Sequence, residues 1–121
     1  MNLKGRPKKY RRIKKDPKIV RYSPRGKPGR PDEIDLKMEE FEAIRLIDFL
    51  GLRQQEAARS MWVSQQTFSR ILKKARKALS DAFINGKIIR IQGGTYVLST
   101  QQDDPKKSTK NPARNKIITH K

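Results

Sequence analysis

Apolar positions recur at helical spacing through the middle of this chain, with shorter β-like runs on either side. Phe41, Ile44, Ile47 and Leu50 form a stripe at spacing three and predict a helix from Leu36 to Leu50. Asp35 is its expected N-cap, and Glu39, Glu40 and Glu42 suit the positive end of its dipole. Gly51 closes it. A second helix is expected from Arg53 to Met61, with Ala57, Ala58 and Met61 as a small apolar side where a neighbour can cross closely. The third runs from Ser64 to Asn85 and stops at Gly86. Phe68, Ile71, Leu72, Ala75, Leu79 and Ala82 occupy one half of its circumference and read as core.

Outside these helices the pattern changes. Lys18–Tyr22 has the character of a short strand, followed by a breaker-rich loop from Ser23 to Pro31. Lys87–Gln92 and Thr95–Leu98 flank Gly93-Gly94, which predicts a small β-hairpin. Residues 1–31 are expected to be a basic N-terminal arm, mobile over residues 1–17, and residues 101–121 a disordered basic tail. Residues 32–100 then hold the folded domain. The expected fold class is mainly α, a three-helix helix-turn-helix core with a small C-terminal β-hairpin and disordered basic ends.

Charge sharpens this picture. The formal net charge is +18 over 121 residues, so a polyanion is the natural partner. Its distribution is uneven. Residues 1–31 carry 13 Lys/Arg against one acid, while residues 32–64 carry four against eight and residues 65–100 seven against one. With 34% apolar residues, any core must be small.

Two helices joined across Trp62 and Val63 have the spacing of a helix-turn-helix, which presents its second helix to the DNA major groove. That second helix carries Gln66, Arg70, Lys73, Lys74 and Lys77 on one stripe, opposite its apolar half. Ser64, Gln65, Gln66, Ser69 and Arg70 are the expected base readers, because amide and guanidinium groups match adenine and guanine edges. Lys73, Lys74 and Lys77 are the expected phosphate ligands, since an ammonium is a point charge without a fork. A lysine-rich face alone is what many surface helices show; the combination with amides at the helix start is what favours DNA. Trp62 stands where such turns usually hold glycine, because the backbone there takes a positive φ.

Arg6, Lys8, Lys9, Arg11 and Arg12 in the arm are expected to add sequence-blind affinity for phosphates. Lys4-Gly5-Arg6-Pro7-Lys8-Lys9 resembles an AT-hook core, although plain phosphate binding is favoured over minor-groove insertion. The second Gly-Arg-Pro, at residues 29–31, reads as an ordinary loop. The surplus of Ile88, Ile89, Ile91, Tyr96 and Val97 suggests a face for a partner or a second copy.

Enzymatic function is not expected. There is no Cys, His120 is the single histidine, and no Gly-rich phosphate loop or nucleophile–base pair is present. No metal site, cofactor or small-molecule pocket is suggested. No apolar run is long enough to span a bilayer and no secretory signal is visible, so a cytoplasmic protein without membrane association is expected.

The run from Gly51 to Tyr96, including Gln66-Thr67-Phe68, Asn85-Gly86-Lys87 and Gly93-Gly94, resembles a prokaryotic family of small predicted DNA-binding proteins under an uncharacterised-protein-family (UPF) label. The preceding MEEFEAIRLI segment (Met38–Ile47) and the basic start at Arg6-Pro7-Lys8 extend the resemblance over roughly residues 4–97. The helix-turn-helix of that family is similar to the C-terminal DNA-binding region of bacterial sigma factors. The resemblance implies a transcriptional regulator acting on double-stranded DNA, with RNA polymerase or a second copy of the chain as further candidate partners. Family members usually have glycine at Trp62, a Ser/Thr cap at Lys37 and often cysteines in the arm. An RNA-binding or ribosome-associated protein is the rival expectation.

Overall fold

The computed structural model describes residues 10–26, 28–99 and 118–120, the last three as backbone. Strands β1 (Arg11–Ile13), β2 (Arg21–Tyr22) and β3 (Glu33–Leu36) precede helix α1 (Met38–Ile44), which runs on into a π-helical turn, Arg45–Phe49. Helices α2 (Gln54–Ser60) and α3 (Gln65–Asn85) follow, then β4 (Ile88–Ile91), β5 (Tyr96–Leu98) and β6 (Ile118–His120). Among the described residues no helix is long and apolar enough to cross a membrane.

Three helices form where periodicity predicts them. α3 spans 21 residues, roughly 30 Å at 1.5 Å per residue. Ser64 caps its start, and Gly86 ends it in the left-handed conformation at φ 64°. Phe68, Leu72 and Ile71 pack with Ala43 and Leu46 of the first helical stretch and with Ala57, Ala58 and Met61 of α2. A second cluster lies further along α3, where Ala75 meets Ile13, Leu36, Met38, Ile91 and Tyr96. The core thus runs along the apolar half of α3.

The start of the first helix differs from expectation. Asp35 lies in β3, and Lys37 is the N-cap. The backbone N–H of Lys37 donates to the Glu40 carboxylate at 2.9 Å, so the acid at the third helical position satisfies the N-cap's own backbone donor. Phe41, Ile44 and Ile47 of the expected stripe pack against the core, but the stripe does not reach Leu50. Leu50 is exposed, whereas Glu39, Glu40 and Glu42 are buried beside Met38, Ala43 and Leu46. Two causes combine. β1 covers the acidic side of α1, and the Leu50 N–H reaches back five residues to the Arg45 carbonyl at 2.8 Å, a π turn that rotates Phe49 and Leu50 outward.

The predicted β4–β5 hairpin is not formed. β4 pairs parallel with β3 and antiparallel with β2, while β5 pairs parallel with β1 and antiparallel with β6. The glycines are used instead to pass the N-terminus of α1. Gly93 and Gly94 take φ of 80° and 104°, and the Gly93 carbonyl accepts the Met38 N–H at 3.0 Å. A Cβ on Gly94 would collide with the Glu39 carboxylate, and the Thr95 N–H donates to that same carboxylate at 3.1 Å. The connection therefore docks on α1, and its two strands join different sheets.

Both basic ends contribute structure. β1 lies within the expected arm, with Ile13 fully buried, and β6 lies within the expected tail. The AT-hook-like residues 4–9 and residues 101–117 lie outside the described residues. The Gly29 loop has φ 78°, as a turn requires. Ile88, Ile91, Tyr96 and Val97 are buried within the fold, so the anticipated apolar surplus is not exposed there.

Candidate nucleic-acid interface

The turn between α2 and α3 is built from α2's own unsatisfied carbonyls. The Trp62 N–H donates to the Arg59 carbonyl at 3.1 Å and the Val63 N–H to the Ala58 carbonyl at 3.0 Å. These two bonds make a Schellman termination, which needs a left-handed residue at its centre. Trp62 fills that place at φ 62°, the one non-glycine residue with positive φ among those described. The glycine-like backbone expected at this position is therefore present despite the bulky side chain.

What offsets the strain comes from outside the helix pair. The Arg12 guanidinium lies 5.3 Å from the centroid of the Trp62 ring, within range of a cation–π contact. The Arg12 N–H donates to the Met61 carbonyl at 3.0 Å, so β1 is laced directly onto the turn. Next along β1, the Lys14 N–H donates to the fully buried Glu42 carboxylate at 3.1 Å. That carboxylate also accepts both Nε and Nη2 of Arg45 at 2.8 Å, a bidentate pair that raises the Arg45 pKa.

Gln65, Gln66, Ser69 and Arg70 are exposed on the first two turns of α3, and Lys73, Lys74 and Lys77 are exposed beyond them. Among the described residues none of these seven side chains is engaged in a hydrogen bond or ion pair. Arg76, off the stripe, is held by Asp48 at 2.7 Å. The stripe ends at Asp81, which binds Asn85 and Lys87; those hydrogen bonds lower its pKa.

Three predicted site residues have other duties. Ser64 Oγ accepts the Thr67 N–H at 3.0 Å and faces Thr67 Oγ1 at the same distance, so its hydroxyl is used as the helix cap. Arg12 is 3% exposed, because β1 packs into the fold, and its side chain is withdrawn from solvent phosphates. Arg11 is half-buried in the same strand, and its charge acts on Glu39. Arg6, Lys8 and Lys9 lie outside the described residues. Sequence reasoning missed the clamp on the turn, for which the lone Ile13 amid cations is the available signal.

Comparison with known proteins agrees with this chain's overall pattern. A family described as "Protein of unknown function DUF134" matches residues 1–99. A UPF0251 protein of Caldicellulosiruptor bescii is 53% identical over 92 residues, covering 76% of this chain and 64% of the relative. One from Prosthecochloris aestuarii is 46% identical over 102 residues, covering 84% of this chain and 66% of the relative. A third, from the methanogen Methanococcus vannielii, is 47% identical over 94 residues, covering 77% and 72%. The chain thus spans slightly less than two thirds of the length of the first two. No solved structure matches it. With the family matched along residues 1–99 and relatives near half identity, this chain belongs to the DUF134/UPF0251 family.

Proposed function

We propose that this chain is a duplex-DNA-binding protein, a transcriptional regulator that lays α3 in the major groove as the second helix of a helix-turn-helix. The observation that carries the reading is the α3 stripe: Gln66, Arg70, Lys73, Lys74 and Lys77 are exposed and unengaged, while Phe68, Leu72 and Ala75 behind them are buried. Among the described residues none of those cations is held in an ion pair, although nearby Arg45, Arg76 and Lys87 are all paired with carboxylates.

In this assignment Gln65, Gln66, Ser69 and Arg70 meet base edges at the start of α3. Lys73, Lys74 and Lys77 hold phosphates further along it. Selection of bound sites from a random duplex pool tests it. Gln66→Ala and Arg70→Ala should relax preference at defined base positions, by about 1–3 kcal/mol for a bidentate contact. Replacing each lysine by Gln should weaken all sequences alike and reduce the salt slope by about one. Equal loss on every sequence for Gln66→Ala and Arg70→Ala would reduce the role to backbone binding. Displacement of the duplex by structured RNA at equal concentration would move the assignment to RNA.

A further inference from the structure

On the opposite side of α3 from the basic stripe, a cleft of about 480 Å³ opens between α1, α3 and the β2–β4–β3 sheet. Its walls are Leu36, Phe41, Ile44, Leu79, Ile89 and Ile91, all apolar side chains. Volume and lining are those of a small-molecule site, which usually joins a mostly apolar wall to a few polar groups. Two cationic residues, Lys15 and Arg45, and two aromatic ones, Tyr22 and Phe49, complete the lining. Arg45 is already neutralised by its bidentate contact with Glu42. Lys15, in the segment after β1, has no carboxylate partner among the described residues.

The mouth has a second unusual feature. Phe49, 80% exposed, is carried there by the π-helical turn, as is Arg45. Such turns interrupt a helix at a cost and recur at functional sites. Here the interruption leaves an aromatic ring at the lip of a cavity it does not fill, beside the half-exposed Tyr22.

We propose that this cleft binds an amphipathic monoanion, a medium-chain carboxylate whose hydrocarbon body lies between α1, α3 and the sheet and whose carboxylate pairs with Lys15. The walls offer a ligand's body no hydrogen-bond partner, which selects a hydrocarbon. The one uncompensated charge is positive, which selects a single anionic head. A polyanion is excluded, because burying several phosphates against six apolar side chains without partners is prohibitively costly. Leu79 lies opposite Arg70 around α3, so such a ligand leaves the proposed DNA face open.

Calorimetric titration of the full chain with decanoate, in the absence of DNA, tests this independently of any groove reading. One decanoate should bind per chain, and decylamine should bind at least about fivefold more weakly. Lys15→Gln should weaken decanoate about fivefold, the scale of an exposed ion pair, whereas Lys18→Gln, an exposed lysine outside the cleft, should leave it unchanged. Leu79→Trp should narrow the cleft and weaken binding; if that variant does not fold, Phe49→Ser at the exposed lip should still weaken it. Equal binding of decanoate and decylamine, equal effects of Lys15→Gln and Lys18→Gln, or full binding by a folded Leu79→Trp variant would overturn the proposal. So would a dimer, seen by sedimentation, that Phe49→Ser converts to monomer, since a second copy would then occupy the cleft.

Discussion

The guanidinium of Arg12 sits 5.3 Å from the centre of the Trp62 indole, bringing a strand near the N-terminus onto the turn that leads into α3. Trp62 is at φ 62°, where an L side chain costs roughly 1–2 kcal/mol. The indole stays 47% exposed, and burial of the remaining half offsets that cost. A cation over its face supplies about 0.5–1 kcal/mol more at a site of this exposure. The turn is thus held by two elements distant in sequence.

It follows that Trp62→Ala should be less stable than Trp62→Gly by about 1 kcal/mol, because alanine keeps the backbone strain and loses the ring, whereas glycine loses both. Urea denaturation of the two variants makes the comparison. In the same assay, a cycle of Arg12→Met with Trp62→Leu should give a coupling of about 0.5–1 kcal/mol. Identical midpoints for the alanine and glycine variants would refute the strain argument.

Glu42 and Arg45 form the one ion pair with a fully buried partner among the described residues. Arg45→Met should destabilise the chain by about 3–5 kcal/mol, since it leaves a buried carboxylate with only the Lys14 N–H. Glu42→Leu combined with Arg45→Met should recover most of that loss. A double variant as unstable as Arg45→Met alone would show that shape, not charge, is at issue.

Burial raises the Glu39 pKa above 4.5, against the opposing pull of backbone hydrogen bonds and of Arg11 and Lys37. The folded chain therefore holds this proton at higher pH than the unfolded chain. Glu39's contribution to stability is full below pH 4.5 and declines as pH rises through the raised value. Glu39→Gln can keep an acceptor for the Thr95 N–H without the charge, so it should raise the melting temperature by a few degrees near neutral pH and leave it unchanged in acid. A melting temperature lowered equally at both pH values would contradict this.

Ser64 offers a way to separate capping from base reading. Ser64→Ala should cost about 1 kcal/mol of stability and Ser64→Asn should restore it, because an amide oxygen can accept the Thr67 N–H. Base preference in a duplex-selection assay should be unchanged by Ser64→Asn. A shift in preferred sequence with Ser64→Asn would return the side chain to the reading set.

The sequence alone determined what depends on near neighbours. Three helices, the stops at Gly51 and Gly86 and the division of α3 into an apolar and a basic half follow from periodicity and local backbone preference, which act within a few residues. Tertiary structure decided what depends on distant partners. The Gly93-Gly94 link became a crossing over α1 because Glu39 and Met38 offered it hydrogen bonds that no local pattern announces. Arg12 passed from the expected phosphate ligands to the turn clamp because Ile13 drew its strand into the core. The cleft beside Leu79 is walled by α1, α3 and a sheet whose strands come from distant parts of the chain, a juxtaposition that only the assembled chain can specify.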